Sequence, residues 1–243
     1  MDYNIKSFMN YVKSYDISDY DISYKYFHSF RVRAISHAIS KKLNWNTHDI
    51  YLATVIGLIH DIGRFEQLKN YHTYQDGKSI DHGDYGIKVL LDDQMIKKFD
   101  IAKEDEDTVL FCVKNHNKIQ IESTNVTDCI KQAKLIRDAD KIDILNAYTD
   151  LNAYQITNKL NEISETVEKQ FFLKKTIHTQ DIETTADELI FTLSYIFDLN
   201  YKESIKWILK RKYIEKLYNK IDNKEKYKKY FDFIFKYLKE RVI

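Results

Sequence analysis

The chain has no proline and only five glycines among its 243 residues. The two strongest helix breakers are therefore missing or scarce, and long helices meet little local resistance. Two cysteines, Cys112 and Cys129, are too few for a disulfide framework and form no CxxC pair, which points to free thiols in a reducing compartment. Neither charge sign is in excess: the formal net charge is +1, so no global attraction draws the chain to nucleic acid or to an anionic membrane. No stretch approaches the roughly 18 consecutive apolar residues of a membrane span, and none is expected. The opening residues MDYNIKSFMNYVKSYD join no basic start to an apolar run, so a signal peptide is not expected and the cytoplasm is the expected location. Glycine-rich loops of the kinase or GTPase kind are also absent.

Apolar residues are plentiful at 44%, with 19 Tyr and 13 Phe, and they recur at spacings of three and four with little strand-like alternation. The expected fold class is all-α. Helices are expected at about 3–14 and 23–43, the second with Phe27, Phe30, Ala34, Ala38 and Ile39 on its apolar side. Thr47 reads as the N-cap of a third helix, IYLATVIGLIHDIGRF, which is apolar nearly all round and therefore central. Residues 66–79 read as a polar loop carrying an Asp-Gly turn. Further helices are expected at 80–92, 105–116, 127–145, 146–160, 184–199, 203–221 and 224–242, while 161–182 has no clear pattern.

Charge is uneven along the chain. Residues 202–241 hold 14 Lys/Arg against 6 Asp/Glu, a net of +8, which leaves about −7 on the remainder. The same stretch keeps an apolar face through Ile205, Ile208, Leu209, Leu217, Ile221, Phe231, Ile234, Phe235 and Leu238. We expect a main domain over 1–200, with basic amphipathic helices at 201–243 packed on it. Nucleic acid or another polyanion is a less favoured partner for these helices, and a homodimer interface is a third reading.

Six side chains of metal-binding type mark where the chemistry lies: His28, the adjacent His60 and Asp61, His82, His116 and Asp140, with 31, 20, 33 and 23 residues between them. These intervals allow each donor, or donor pair, its own helix. Imidazole and carboxylate suit Mn, Fe, Co, Ni or Zn without any thiolate. Six donors exceed one tetrahedral site, so two ions are expected. Adjacent helical residues point about 100° apart, and Gly63 is expected to loosen the helix end so that His60 and Asp61 face one cavity. Each donor alone has a plainer reading, as a buried hydrogen-bonded histidine or a helix-end carboxylate; their joint order is what carries weight.

The segments FHSFRV, LIHDIGR, DHGDYG, VKNHN and IRDADKID together resemble the HD superfamily of metal-dependent phosphohydrolases, over roughly residues 25–148. The resemblance implies a helical bundle around a metal site, with further helices at the C-terminus. It implies that His28, His60, Asp61 and Asp140 bind one divalent ion, and that Asp61 bridges to a second bound by His82 and His116. A water held between the ions would then be the nucleophile, and the substrate a small phosphorylated molecule such as a nucleotide. The glycine-rich GYP segment of the cyclic-dinucleotide branch is missing, which argues against that substrate.

Asp61, Arg64 and Lys141 are the catalytic candidates, the two cations as phosphate contacts. The plainer reading pairs Arg64 with Glu66 and Lys141 with Asp143. Arg31, three residues after His28, shares its helix face. Tyr71, His72 and Lys78 lie in the polar stretch before His82, either as a lid or simply solvated. Two alternatives to hydrolysis stand: a di-iron oxygenase, for which the same donor order serves, and a non-catalytic nucleotide-sensing module.

Overall fold

The computed structural model describes residues 2–151 and 162–242, and every regular element among them is a helix. The chain divides into two compact units, Met1–Asp140 and Lys141–Ile243. The boundary expected at residue 200 falls inside the second unit. No helix among the described residues is long and apolar enough to cross a membrane.

The first unit is built from α1 (Tyr3–Val12), α2 (Tyr20–Lys42), α3 (Thr47–Ile59), α4 (Ile62–Tyr71), α5 (His82–Leu91), α6 (Glu106–Asn115) and the greater part of α7 (Thr127–Tyr148). The starts of α2, α3 and α5 follow the capping rule, with a short polar side chain accepting a free backbone N–H. Asp19 accepts from Asp21 and Ile22, and Asp81 accepts from Asp84. For α3 the cap is Asn46, whose side chain accepts from the Asp49 amide; Thr47, expected as the cap, is the first helical residue.

The buried face of α2 also differs from the one expected. It runs through Ile22, Lys25, His28, Ser29, Val32, Ile35, Ser36 and Ile39, whereas Phe27 is 54% exposed. The small serines on this face let α3 approach closely. A Cβ added to Gly57 would stand 2.9 Å from the Arg33 Cα, so only glycine fits at the crossing. Helix α4 takes in residues 66–71 of the 66–79 stretch read as loop and ends at Tyr71, Phe65 being fully buried and anchoring it. Beyond it only a short turn at Asp76–Lys78 is helical before α5. The Phe65 ring lies 5.8 Å from that of Phe8, 5.9 Å from Tyr11 and 5.4 Å from Tyr15.

The second unit contains α8 (Glu165–Phe172), α9 (Thr185–Ser194), α10 (Lys202–Arg211), α11 (Tyr213–Asn219) and α12 (Lys224–Val242). The helix expected over 203–221 is split at Lys212, whose φ of 55° takes the chain out of the helical region. The helix expected at 146–160 falls largely outside the described residues. Of the apolar face read from the sequence, Ile205, Ile208, Leu217, Ile221, Phe231, Ile234 and Leu238 are buried. Several lysines of the basic stretch meet carboxylates of the same unit: Lys216 meets Asp150, Lys226 meets Glu162 and Lys229 meets Glu168.

Candidate metal centre

Five elements of the first unit deliver the six donors. His28 sits in the middle of α2 on its buried face. Helix α3 stops at Ile59, His60 is its C-cap, and Asp61 at φ −98°, ψ 19° turns the chain before α4 begins at Ile62. The pair therefore lies in a break between two helices, which resolves the 100° divergence of adjacent helical residues. Gly63 does not provide this break. It lies within α4, where a Cβ would come 2.3 Å from the His82 carbonyl oxygen and 2.6 Å from the Gly86 nitrogen, so its bareness permits α4 to lie against α5. His82 is the first residue of α5, His116 is the C-cap of α6, and Asp140 projects from α7.

Asp61 divides the site. Its Oδ2 lies 3.4 Å from His28 Nε2 and 3.5 Å from His60 Nε2. Its Oδ1 lies 3.3 Å from His82 Nε2 and 3.2 Å from His116 Nε2. Asp140 Oδ1 joins the first group, at 3.2 Å from His28 and 3.6 Å from His60. Two sets of donors suited to an ion result, His28–His60–Asp61 and Asp61–His82–His116, each with ligand atoms within 4.8 Å of one another. The four histidines and Asp61 are all at most 3% exposed.

Ring tautomers test whether these groups suit a cation. His60 Nδ1 is 3.0 Å from the Gly57 carbonyl and His116 Nδ1 is 2.7 Å from the Val113 carbonyl. A carbonyl only accepts, so both Nδ1 atoms carry the proton and both Nε2 atoms present bare lone pairs. Yet His28 and His60 bring their Nε2 atoms to 3.3 Å, and His82 and His116 bring theirs to 2.9 Å. The bare nitrogens of His60 and His116, each set against a second ring nitrogen in a buried space beside two carboxylates, suit a positive charge between them. The donor set fits one or more divalent ions.

The electrostatics agree. Burial lowers the His60 pKa below the ordinary imidazole value and, with the Arg64 charge nearby, pushes that of His82 down to about 3. Burial alone would raise Asp61, but Lys25 and the facing imidazoles outweigh it and hold the carboxyl well below its usual range. Asp140 is held low in the same way, burial being outweighed by His28 and His60. Ionised carboxylates and neutral imidazoles are the forms that ligate metals.

Sequence reasoning passed over Lys25. Its Nζ lies 2.5 Å from Asp61 Oδ2, and the residue is 8% exposed. Its signal was its position three residues before His28, one turn earlier on the same face. Asp76, read only as part of an Asp-Gly turn, was also missed; it accepts from Arg64, Gln67 and Asn117 and faces His82. Arg64 borders the centre, with Nε 3.8 Å from Asp61, but Nη1 is held by Gln67, the Tyr74 carbonyl and Asp76; the expected Glu66 partner instead accepts from Tyr15. Lys141 pairs with Asp198 at 2.7 Å. Arg31 lies over the Tyr24 ring, 5.3 Å from its centroid. Tyr71, His72 and Lys78 are exposed.

Residues 26–145 match the family model of the HD domain. No curated protein and no solved structure is a significant match to the chain. The matched span runs from two residues before His28 to five beyond Asp140, so it encloses all six donors. The chain belongs to the HD superfamily.

Proposed function

We propose that this chain is a metal-dependent phosphohydrolase that cleaves a phosphate ester or pyrophosphate bond of a small nucleotide with an activated water. One observation carries the reading: the two oxygens of a single buried carboxylate, Asp61, face two separate pairs of imidazole Nε2 atoms. His28, His60, Asp61 and Asp140 would hold one divalent ion, and Asp61, His82 and His116 a second, drawn from Mn, Fe, Co, Ni or Zn. Two such ions supply the positive charge that acidifies a water and offsets charge growing on an attacked phosphoryl group. No side-chain nucleophile is needed.

The protein's own part is to keep six donors dry and correctly ionised, and to offer a cation beside them. Lys25 is a further cation beside these donors, added to the phosphate contacts expected of Arg64 and Lys141; its head rests on Asp61 as theirs rest on Asp76 and Asp198. Its ammonium rests on Asp61, so a phosphoryl oxygen brought to the ions would meet a cation there. The Tyr74 ring lies 5.6 Å from Lys25 Nζ and 5.7 Å from the Arg64 guanidinium, and it forms a wall on that side.

The test is a release assay on protein loaded with Mn²⁺ or Co²⁺, using nucleoside mono-, di- and triphosphates and cyclic nucleotides. Phosphate, pyrophosphate or nucleoside should appear for a subset of the panel and vanish in Asp61→Asn. Protein shown to hold two ions that releases nothing from any member would count against hydrolysis.

A further inference from the structure

His60 and His116 share one arrangement. Each is the C-cap of its helix, and each donates Nδ1–H to the carbonyl three residues back, Gly57 in α3 and Val113 in α6. Those carbonyls are among the four that a helix leaves without an amide partner at its C-terminal end. The helix end thus supplies the acceptor that orients the ring and directs Nε2 into the centre.

His82 has no access to this arrangement. It opens α5, and the groups a helix leaves free at its N-terminal end are N–H donors, which cannot accept a ring proton. An acceptor has to come from elsewhere in the chain. Asp76 provides it: Oδ2 lies 2.7 Å and Oδ1 2.9 Å from His82 Nδ1.

The carboxylate is itself held in place. Arg64 Nη1 donates to Oδ1 at 2.9 Å, Gln67 Nε2 donates to Oδ1 at 2.9 Å, and Asn117 Nδ2 donates to Oδ2 at 3.2 Å. Gln67 is fully buried and also bonds Ser79 Oγ and the Ile80 carbonyl, which fixes the turn that carries Asp76. Arg64 reaches the Tyr74 carbonyl in addition. Three side chains from outside the turn therefore converge on one carboxylate whose remaining neighbour is a histidine ring.

Resting on the two-ion reading above, we propose that Asp76 is the positioning residue of the second ion: it fixes the tautomer and orientation of His82, and Arg64 serves the centre through it. Carboxylates bonded to a ligating imidazole in this way hold the ring for the metal and raise its basicity. The effect falls on the Asp61–His82–His116 half, because the ring that Asp76 faces is His82.

Two measurements test this. The first needs no variant: the ring tautomer of His82 in metal-free protein, read by long-range nitrogen–proton NMR. The proposal requires the proton on Nδ1; a proton on Nε2 overturns it. The second is calorimetric titration of metal-free protein with Co²⁺ for wild type, Asp76→Ala, Asp76→Asn and Asp76→Glu. The second ion should bind about 10- to 100-fold more weakly in Asp76→Ala, with the first ion unaffected. Asp76→Asn, which keeps an acceptor without the charge, should fall between, and Asp76→Glu should recover part of the loss. Wild-type affinity for both ions in Asp76→Ala would overturn the proposal. A wild type that takes up only one ion would instead refute ligation by His82 and His116, and the tautomer would still decide what Asp76 does. Should Asp76→Ala fail to fold, Asp76→Asn and the wild-type spectrum carry the test.

Discussion

Replacing Lys25 by Met removes the ammonium that lies 2.5 Å from Asp61 Oδ2 while keeping most of the volume of the lysine stem. The side chains of the pair are 10% and 2% exposed, so water cannot replace the lost partner. Removing one member of such a buried pair costs about 3–5 kcal/mol. The lower end applies here, because methionine fills most of the volume of the lysine stem and no cavity forms. Against a typical stability of about 5–15 kcal/mol, that is a large fraction. The cost should shrink once metal is present. A cation that binds the native state alone adds about 2.7 kcal/mol at a hundredfold excess over its dissociation constant. In Lys25→Met it would also meet an Asp61 oxygen free of competition. The assay is urea unfolding of wild type and variant, each with chelator and each with saturating Mn²⁺. The gap between the two proteins should be about 3 kcal/mol without metal and clearly smaller with it. A gap of equal size in both conditions would mean that Lys25 acts by packing, and no gap at all would sink the claim that Asp61 depends on it.

Gly63→Ala would drive a methyl group into backbone atoms of α5, at 2.3 Å from the His82 oxygen, where no side chain can swing aside. It should cost at least about 1–3 kcal/mol in thermal or urea unfolding, and a change below about 0.5 kcal/mol would contradict the packing described. Phe65→Ala empties a fully buried ring site among Phe8, Tyr11 and Tyr15, and should lower stability by about 3–5 kcal/mol in the same experiment. For the basic helices, Lys216, Lys226 and Lys229 already have carboxylate partners, and Lys220 donates to the carbonyls of Tyr148 and Thr149. Heparin binding should therefore be weak with a shallow salt dependence; a steep fall of affinity with rising salt would restore the polyanion reading.

Much of this architecture was legible in sequence because burial and periodicity go together in ordinary helices. Helices α5, α6 and α12 begin and end within two residues of where the apolar spacing placed them. Several of the exceptions lie near the metal centre and share a cause. The inner face of α2 carries Lys25, His28, Ser29 and Ser36, so a count of apolar residues selects the opposite side, where Phe27 is exposed. Lys25 looks like any solvated lysine until its partner, 36 residues away, is known. Asp76 reads as half of an Asp-Gly turn, and no spacing rule connects it to His82. The six donors were readable because their residue types are costly to bury without a cation. The residues that orient them were not, because a single polar contact between side chains of different elements leaves no periodic trace.

The histidines at the ends of α3 and α6 make helix length a part of the chemistry. Each ring is held by a carbonyl that is free only because the helix stops there. One further turn on either helix would give that carbonyl an amide, and the ring would lose its tether although its identity and place in the chain were unchanged. A descendant of this chain could thus keep all six donors and still lose the site through a one-residue insertion between positions 57 and 60 or 113 and 116. Comparisons that count donors would not see the difference; those that also ask where the helices end would.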